Sequence, residues 1–442
     1  MGIFIMECHQ TSFSCNQQDN HDDHDHRDSS DREDQIDLQY PSYFSSQRSL
    51  QSIPSLASNF KPQNHYQFCL ISDFKPHSTY LSALTLAGKL VFTGSSDREI
   101  GSWNINNSHN NNIVLAGNGA VKSLVVSGDK LFSAHQDNKI RVWKIENENE
   151  DSSREDKNNQ HAMKYTRLAT LPTLGDRAAK LLLPKNQVKI RRHKSCTWVH
   201  HVDTVSALAL SPDDRFLYSV SWDRTLKLWR TTDFKCLESI TNAHDDAINA
   251  VALSSDGVVY TGSADRKIKA WRKRISLGDK KHSLVCTLEK HNSGINALAL
   301  SNDGSFLYSG ASDRSIVVWE RIFENDSEDN TINVVVLGAL RGHGKAILCL
   351  AVVEDLVFSG SADKTVRVWR GIERSYSCLA VLEGHTGPIK CLTASSSSSS
   401  STVEDCDTTS SGGVNSYVIY SGGLDCLVKV WQIIVPNNQQ FL

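Results

Sequence analysis

The 442-residue chain lacks most features that mark a membrane protein, a secreted scaffold or a common enzyme. No apolar run approaches the roughly 18 to 20 residues that a membrane-spanning helix needs. The opening MGIFIMECHQ turns polar too soon for a secretory signal, and Met6 stands where a myristoylation motif has Ser or Thr. The eleven cysteines are odd in number and include no CxxC pair, so reduced thiols are expected rather than a disulfide framework. A Walker A loop, a GxSxG elbow, an HExxH helix and the protein-kinase set are all missing. Strong charge of either sign is missing too: 47 Lys and Arg face 50 Asp and Glu, a formal net charge of −3. That balance gives no global pull toward nucleic acid or anionic membrane. The expectation is a cytosolic or nuclear protein, with enough hydrophobic residues (39%) for a packed core.

What the chain does have is repetition. The phrase SGSADKTVRVW (359–369) recurs as TGSSDREIGSW (93–103), SAHQDNKIRVW (133–143), SVSWDRTLKLW (219–229), TGSADRKIKAW (261–271), SGASDRSIVVW (309–319) and SGGLDCLVKVW (421–431). Each copy has Ser or Thr, then Asp four residues on, then Trp six further. In order these are Thr93, Asp97 and Trp103; Ser133, Asp137 and Trp143; Ser219, Asp223 and Trp229; and Thr261, Asp265 and Trp271. The last three are Ser309, Asp313 and Trp319; Ser359, Asp363 and Trp369; and Ser421, Asp425 and Trp431. Successive Trp spacings run from 40 to 62, except for 86 between Trp143 and Trp229, where an insertion lies. Before each phrase comes an alternating run such as VSALALS or INAVALS, with the period of a half-buried strand. Four residues before its first apolar anchor sits a histidine in six copies: His77, His201, His244, His291, His343 and His385. The second copy has Gly117 there.

This pattern resembles the WD40-repeat family, and seven copies imply an all-β, seven-bladed propeller over about residues 65 to 434. No copy has the Asp after Trp that gives the family its name. Those positions hold Asn104, Lys144, Arg230, Arg272, Glu320, Arg370 and Gln432. The insertion pattern and overall sequence most resemble a plant subgroup, the Jingubang-like WD-repeat proteins. The resemblance implies four strands per blade, with the His in the loop before the inner strand, Ser or Thr in the second strand, Asp in the following turn and Trp in the third. A chain of hydrogen bonds, Trp to Ser or Thr to His to Asp, would satisfy groups whose orphaning costs about 1–3 kcal/mol each. Blade 2, with Gly117 for its His, is expected to be locally weaker. The last repeat ends at its third strand, so residues 66–72 are expected to supply blade 7's outer strand and close the ring.

Outside the repeats, residues 1–60 read as a disordered polar tail. Its His21, His24 and His26 read as solvated rather than as metal ligands, and 435–442 is a short C-terminal tail. The one apolar stretch of the N-terminal tail, SLQSIPSLASNF (49–60), is either a docking peptide or packs on the propeller flank. Inserts 144–163 and 394–416 read as flexible loops on the bottom face. Insert 174–198 carries seven basic residues against Asp176 and is expected to cross the top face on apolar anchors LLLP and VKI. Within RRHKSCTWVHHVD (191–203), His193, Cys196, His200 and His201 mimic a zinc set, but His201 is the blade 3 histidine. Cys69, Cys236, Cys286 and Cys378 in outer strands, with Cys349 and Cys391 in inner ones, are expected to be small buried hydrophobes. No metal or cofactor is expected.

The candidate binding surface is the top rim. Before the turn Asp stand Ser96, Gln136, Trp222, Ala264, Ser312, Ala362 and Leu424, and Trp222 is the one large aromatic. After it stand Arg98, Asn138, Arg224, Arg266, Arg314, Lys364 and Cys426, five of them basic. With Lys189, Arg191, Arg192 and Lys194 of the insert expected near Trp222, this surface points to an acidic or phosphorylated protein partner. KIRRHK (189–194) could serve as a nuclear localisation signal, while the absence of an aromatic stacking series argues against direct nucleic-acid binding. The reading is a monomeric, non-catalytic interaction scaffold, a plant signalling or developmental regulator with transcription regulators among its partners. A cullin-type ubiquitin-ligase substrate receptor is the alternative, weakened by the missing W-D-x-R signature. An enzyme stands last.

Overall fold

Alternating apolar residues make strands, and the computed structural model of the chain has thirty among its described residues, with one helix. The structure describes residues 53–56, 66–104, 107–146, 164–181, 187–191, 194–273, 281–322, 332–372, 374–397 and 414–436. β1 (Gln67–Phe74) comes first. Blade 1 is β2 (Leu81–Ala87), β3 (Leu90–Ser95), β4 (Glu99–Asn104) and β5 (Asn107–Leu115). Blade 2 is β6 (Val121–Ser127), β7 (Lys130–His135), β8 (Ile140–Glu146) and β9 (Lys164–Leu171). An insert follows: α1 (Leu174–Leu181), β10 (Gln187–Arg191) and β11 (Lys194–Thr197). Blade 3 is β12 (Val205–Leu210), β13 (Phe216–Ser221), β14 (Leu226–Arg230) and β15 (Cys236–Ile240). Blade 4 is β16 (Ile248–Leu253), β17 (Val259–Ser263), β18 (Lys267–Lys273) and β19 (His282–Glu289). Blade 5 is β20 (Ile295–Leu300), β21 (Phe306–Ala311), β22 (Ile316–Ile322) and β23 (Asn333–Leu340). Blade 6 is β24 (Ile347–Val353), β25 (Leu356–Ser361), β26 (Val366–Ile372) and β27 (Ser375–Leu382). Blade 7 is β28 (Ile389–Ser397), β29 (Val414–Gly423) and β30 (Val428–Pro436), completed by β1.

Within each blade, neighbours in the sheet run antiparallel. The inner strands β2, β6, β12, β16, β20, β24 and β28 touch in that cyclic order, and β28 returns to β2. The result is a seven-bladed β-propeller. Its core lies between blades. Tyr218, Val220 and Leu228 of blade 3 pack against Ile248, Val259 and Trp271 of blade 4, for example. Second strands are sandwiched on both faces, so all five residues of β17 are buried. Each large apolar side chain so buried contributes about 1.5–3 kcal/mol. We call the face carrying the turns between second and third strands the top.

The two ends of the ring meet in blade 7. β1 pairs with β30 from Gln67 opposite Ile434 to Phe74 opposite Val428, covering an edge that would otherwise template association. Lys429 Nζ donates to Asp73 Oδ2 at 2.9 Å, and the Phe74 ring lies 5.0 Å from Trp103 of blade 1.

Three expectations change here. Residues 53–56 are not part of a free tail: they dock on the outer edge of blade 5. Leu56 N donates to Ala339 O at 3.0 Å and Ala339 N to Pro54 O at 2.9 Å, a short parallel bridge on β23. Ile53 is buried among blades 4 and 5, and Leu56 packs between blades 5 and 6. Gly338 leaves room, since a Cβ there would meet Leu56 Cγ at 2.4 Å. Of the two readings for this stretch, flank packing is the one realised, because β23 offered unpaired edge groups. The Ser-rich insert, second, is partly strand: Ser395, Ser396 and Ser397 pair with Val418, Tyr417 and Ser416, so the ladder outweighs low local propensity. Likewise Ile145 and Glu146 continue β8 against Tyr165 and Lys164. Third, the expected anchors LLLP and VKI of the insert after blade 2 have no described side chains, and a polar fastening that was not expected holds α1. Residues 182–186 lie outside the described residues, and the fastening is polar. Thr173 caps α1, its Oγ1 accepting from Asp176 N at 3.1 Å. The Asp176 carboxylate is buried and accepts from Cys236 N at 3.0 Å. Cys236 lies opposite Trp229 at a register shift, remote from the rim turn. α1 is therefore held at the outer flank of blade 3, where an irregular edge N–H needed an acceptor. The remaining tail residues, 1–52, 57–60 and 437–442, and the insert residues 147–163 and 398–413 lie outside the described residues.

Deleting residues 60–75 should unfold or aggregate the chain, because blade 7 loses β1 and the pairing that joins the chain ends. A thermal melt superimposable on that of the intact protein would contradict this closure.

Candidate functional site

The rim is built from a buried hydroxyl outward. In blade 5, Trp319 Nε1 donates to Ser309 Oγ at 2.8 Å, His291 Nε2 meets the same oxygen at 2.8 Å, and His291 Nδ1 lies 2.8 Å from Asp313 Oδ2. The same chain runs through Trp229, Ser219, His201 and Asp223 in blade 3 and through Trp271, Thr261, His244 and Asp265 in blade 4. It recurs as Trp369, Ser359, His343 and Asp363 in blade 6, and as Trp431, Ser421, His385 and Asp425 in blade 7. Burial by itself would raise the Asp363 carboxyl. Hydrogen bonds from Thr365 and the charge of His343 outweigh it and hold the group at about 2. Burial is also the main cause that keeps His201 and His343 below the ordinary imidazole range.

Blade 2 replaces its missing histidine. His135, two residues after Ser133, turns its Nε2 to Ser133 Oγ at 2.8 Å and its Nδ1 to Gly119 O at 3.1 Å. Trp143 Nε1 still donates to Ser133 Oγ at 2.9 Å. Asp137 takes both terminal nitrogens of the buried Arg141. Gly117 is what makes this possible, since a Cβ there would fall 2.4 Å from the Arg141 guanidinium. The expectation of a weak blade 2 assumed an orphaned Ser133, and Ser133 has partners. Blade 1 departs differently. Trp103 and His77 both reach Thr93 Oγ1, at 3.0 and 2.8 Å, but His77 Nδ1 stands 3.7 Å from Asp97 and has no hydrogen-bond partner.

Each turn Asp shapes the rim. In every blade but the second its Oδ1 accepts the N–H two residues on, as in Thr225 N to Asp223 at 2.9 Å and Lys267 N to Asp265 at 2.9 Å, whereas Asp137 Oδ1 takes Arg141 Nη1. The residue after the turn Asp has positive φ in all seven blades: Arg98 (75°), Asn138 (65°), Arg224 (65°), Arg266 (73°), Arg314 (70°), Lys364 (75°) and Cys426 (65°). Such a conformation costs a non-glycine residue about 1–2 kcal/mol, and the Asp bonds hold it. Arg98, Arg224, Arg266, Arg314 and Lys364 are all exposed, and none has a carboxylate partner among the described residues. The face is not uniformly basic, because the neighbouring loops bring Asp245 and Asp246 to it; Lys267 pairs with Asp245 and Glu289.

Trp222 is 41% exposed, and its described cation neighbour is Lys122, whose Nζ lies 5.7 Å from the ring centre. Lys122 marks a site that the repeat phrases do not reveal. It is the second residue of its inner strand, at the mouth of the central channel. In four blades this position stitches neighbours together: Ser82 donates to Val121 O, Ser206 to Ile248 O, Asn249 to Ile295 O and Asn296 to Ile347 O, while blade 6 has Leu348. In blades 2 and 7 it is Lys122 and Lys390. Burial, then the charge of Lys390, pushes the Lys122 ammonium down. Comparing second residues of the inner strands would have exposed this pair in the sequence.

The basic insert does not join this surface through any described contact. Lys189 pairs with Ser195 and Arg191 with Lys194 in the β10–β11 hairpin, while Arg192 and His193 lie outside the described residues. Downstream, Trp198 and Val199 pack against the core between blades 2 and 3, and Lys227 Nζ donates to Trp198 O at 2.6 Å. His200 is held by Thr197 Oγ1 at 2.9 Å and His201 by Ser219, so neither is free for a zinc set. Among the cysteines, Cys236, Cys349 and Cys391 are buried, and burial pushes the Cys349 thiol up to about 12. Cys69 is exposed and Cys286 and Cys378 are half-buried, because outer strands have one face toward solvent.

Comparison with known proteins agrees with this architecture. The family model "WD domain, G-beta repeat" matches residues 193–230, 234–272, 282–320, 335–370 and 376–432. Protein ROOT INITIATION DEFECTIVE 3 of Arabidopsis thaliana is 33% identical over 187 residues, covering 39% of this chain and 40% of that protein. Autophagy-related protein 16 of the same plant is 26% identical over 45% of this chain and 37% of its own length. Small ribosomal subunit protein RACK1 of Drosophila melanogaster is 28% identical over 38% of this chain and 52% of its own length. The aligned regions thus span about half or less of these relatives.

Blade 2 supplies a pH test. Burial, reinforced by Arg141, drives His135 from 6.5 to about 4. A histidine depressed on folding contributes stability above pH 6.5 that is lost as pH falls toward 4. Denaturant titrations should show His135→Gln flattening the stability slope across that window. A slope identical to that of the parent would refute the substituted network.

Proposed function

This chain belongs to the WD40-repeat family, and on that footing we propose that it is a non-catalytic, monomeric scaffold that grips acidic or phosphorylated protein segments on its top face. One observation carries the reading: five exposed cations, Arg98, Arg224, Arg266, Arg314 and Lys364, are held at equivalent turns with no carboxylate partner among the described residues. Lys122 and Lys390 add charge at the channel mouth, beside the exposed Trp222. Guanidinium groups on fixed turns suit carboxylate or phosphate oxygens, and an exposed aromatic on the same rim suits an anchoring side chain. The names of the matched relatives have little in common beyond the repeat, which fits a framework whose specificity lies in rim side chains. The likeness to Jingubang-like proteins narrows the proposal to a plant signalling or developmental regulator, acting in cytoplasm or nucleus, with transcription regulators among its partners.

Affinity purification with mass spectrometry tests this. Replacing Trp222 by Ala together with Arg224→Glu should remove captured partners while leaving the melting temperature unchanged, because both side chains are exposed. Recovery equal to the parent's would overturn the top-face reading. Cullin adaptors among the captured proteins would favour a ligase substrate receptor instead.

A further inference from the structure

Blade 1 holds a cluster that neither the fold nor the rim explains. In blades 3 to 7 the histidine Nδ1 lies 2.7 to 3.3 Å from its turn Asp. In blade 1 the gap is 3.7 Å, and a second carboxylate oxygen, Glu99 Oε2, stands 3.6 Å from the same nitrogen. The His77 side chain is wholly buried, and its Nδ1 is left without a hydrogen bond. Glu99 is the one acid at its position; the others are Lys139, Thr225, Lys267, Ser315, Thr365 and Leu427. Neither Asp97 nor Glu99 is paired with Lys or Arg among the described residues. Two carboxylates facing one buried nitrogen repel each other unless a cation lies between them.

We propose that His77 Nδ1, Asp97 and Glu99 form a divalent metal site, suited to zinc, at the top of blade 1. The three ligand atoms lie within 4.8 Å of one another. Two ligands bound tetrahedrally to one zinc at about 2.0–2.1 Å stand about 3.4 Å apart. The His77 separations of 3.6 and 3.7 Å therefore need only small closure. Among the described residues, the Asp97 oxygens accept only from Ser78 Oγ at 3.3 Å and Glu99 N at 3.1 Å, which leaves lone pairs for a metal. The ring is already oriented from behind. His77 Nε2 is 2.8 Å from Thr93 Oγ1, so its proton can sit there and leave Nδ1 unprotonated. Glu99 is 35% exposed, which opens the site to the ion and leaves water as the fourth ligand. An imidazole with two carboxylates matches zinc better than calcium or magnesium, which prefer all-oxygen sets.

The test is a zinc titration of the full chain carrying His21→Ser, His24→Ser and His26→Ser, so that tail histidines do not contribute. One zinc should bind per chain and raise the melting temperature, and Co²⁺ should give a visible absorption band. Glu99→Thr puts in blade 1 the residue found in blades 3 and 6. It should weaken zinc binding about ten-fold or more and abolish the cobalt band. Its zinc-free melting temperature should equal or exceed the parent's, because His77 regains Asp97. Zinc binding of the same affinity and stoichiometry in the Glu99→Thr chain, or none in the parent, would overturn the site.

Discussion

Each blade depends on one buried hydroxyl. Ser309 and its equivalents take the indole N–H of the third strand and an imidazole, which comes from the loop before the first strand in six blades and from His135 of the second strand in blade 2. Buried without partners, any of the three would cost about 1–3 kcal/mol. Joined, they fix the distance between strands and place the histidine against the turn Asp. That Asp is then spent on backbone: one oxygen faces the imidazole, and the other holds the turn. The positive φ of the following residue is thus a consequence of core chemistry. It does not depend on which side chain stands there.

That independence makes the rim usable for recognition. A residue such as Arg224 or Lys364 contributes nothing to the hydrogen-bonded chain beneath it, so its identity is free to follow a partner. Asn138 occupies the same turn, and its side chain instead donates to Val202 O at 2.9 Å, tying blade 2 to blade 3. The channel mouth obeys a similar rule. Ser and Asn stitch adjacent inner strands in four blades, and Lys122, Leu348 and Lys390 take the position in the other three.

Repetition made the architecture legible. Seven phrases and an unfinished last repeat were enough to read seven blades. Legibility failed where one blade solved the shared problem with other residues. His135 is invisible to a search four residues before the anchor, because it lies on the second strand and reaches the same hydroxyl from the side. Arg141 looks like an ordinary third-strand cation until Gly117 opens the space above it. Glu99 differs from its equivalents only in charge sign, and that matters only beside a buried imidazole. Ile53 and Leu56 belong to no repeat. Their place depends on an edge of β23 and on Gly338, nearly 300 residues away, which no local pattern encodes. The fastening of α1 by Asp176 fails for the same reason.

The central claim is that the turn Asp residues present unpaired cations as a binding surface separable from the fold. The direct measurement replaces Arg98, Arg224, Arg266, Arg314 and Lys364 with Asn, the residue that blade 2 already carries at this turn. Partner retention on the immobilised chain is then followed as ionic strength rises. The account predicts salt-sensitive capture by the parent, little capture by the variant at any salt, and coincident thermal melts. Salt-resistant capture that survives all five substitutions would contradict it.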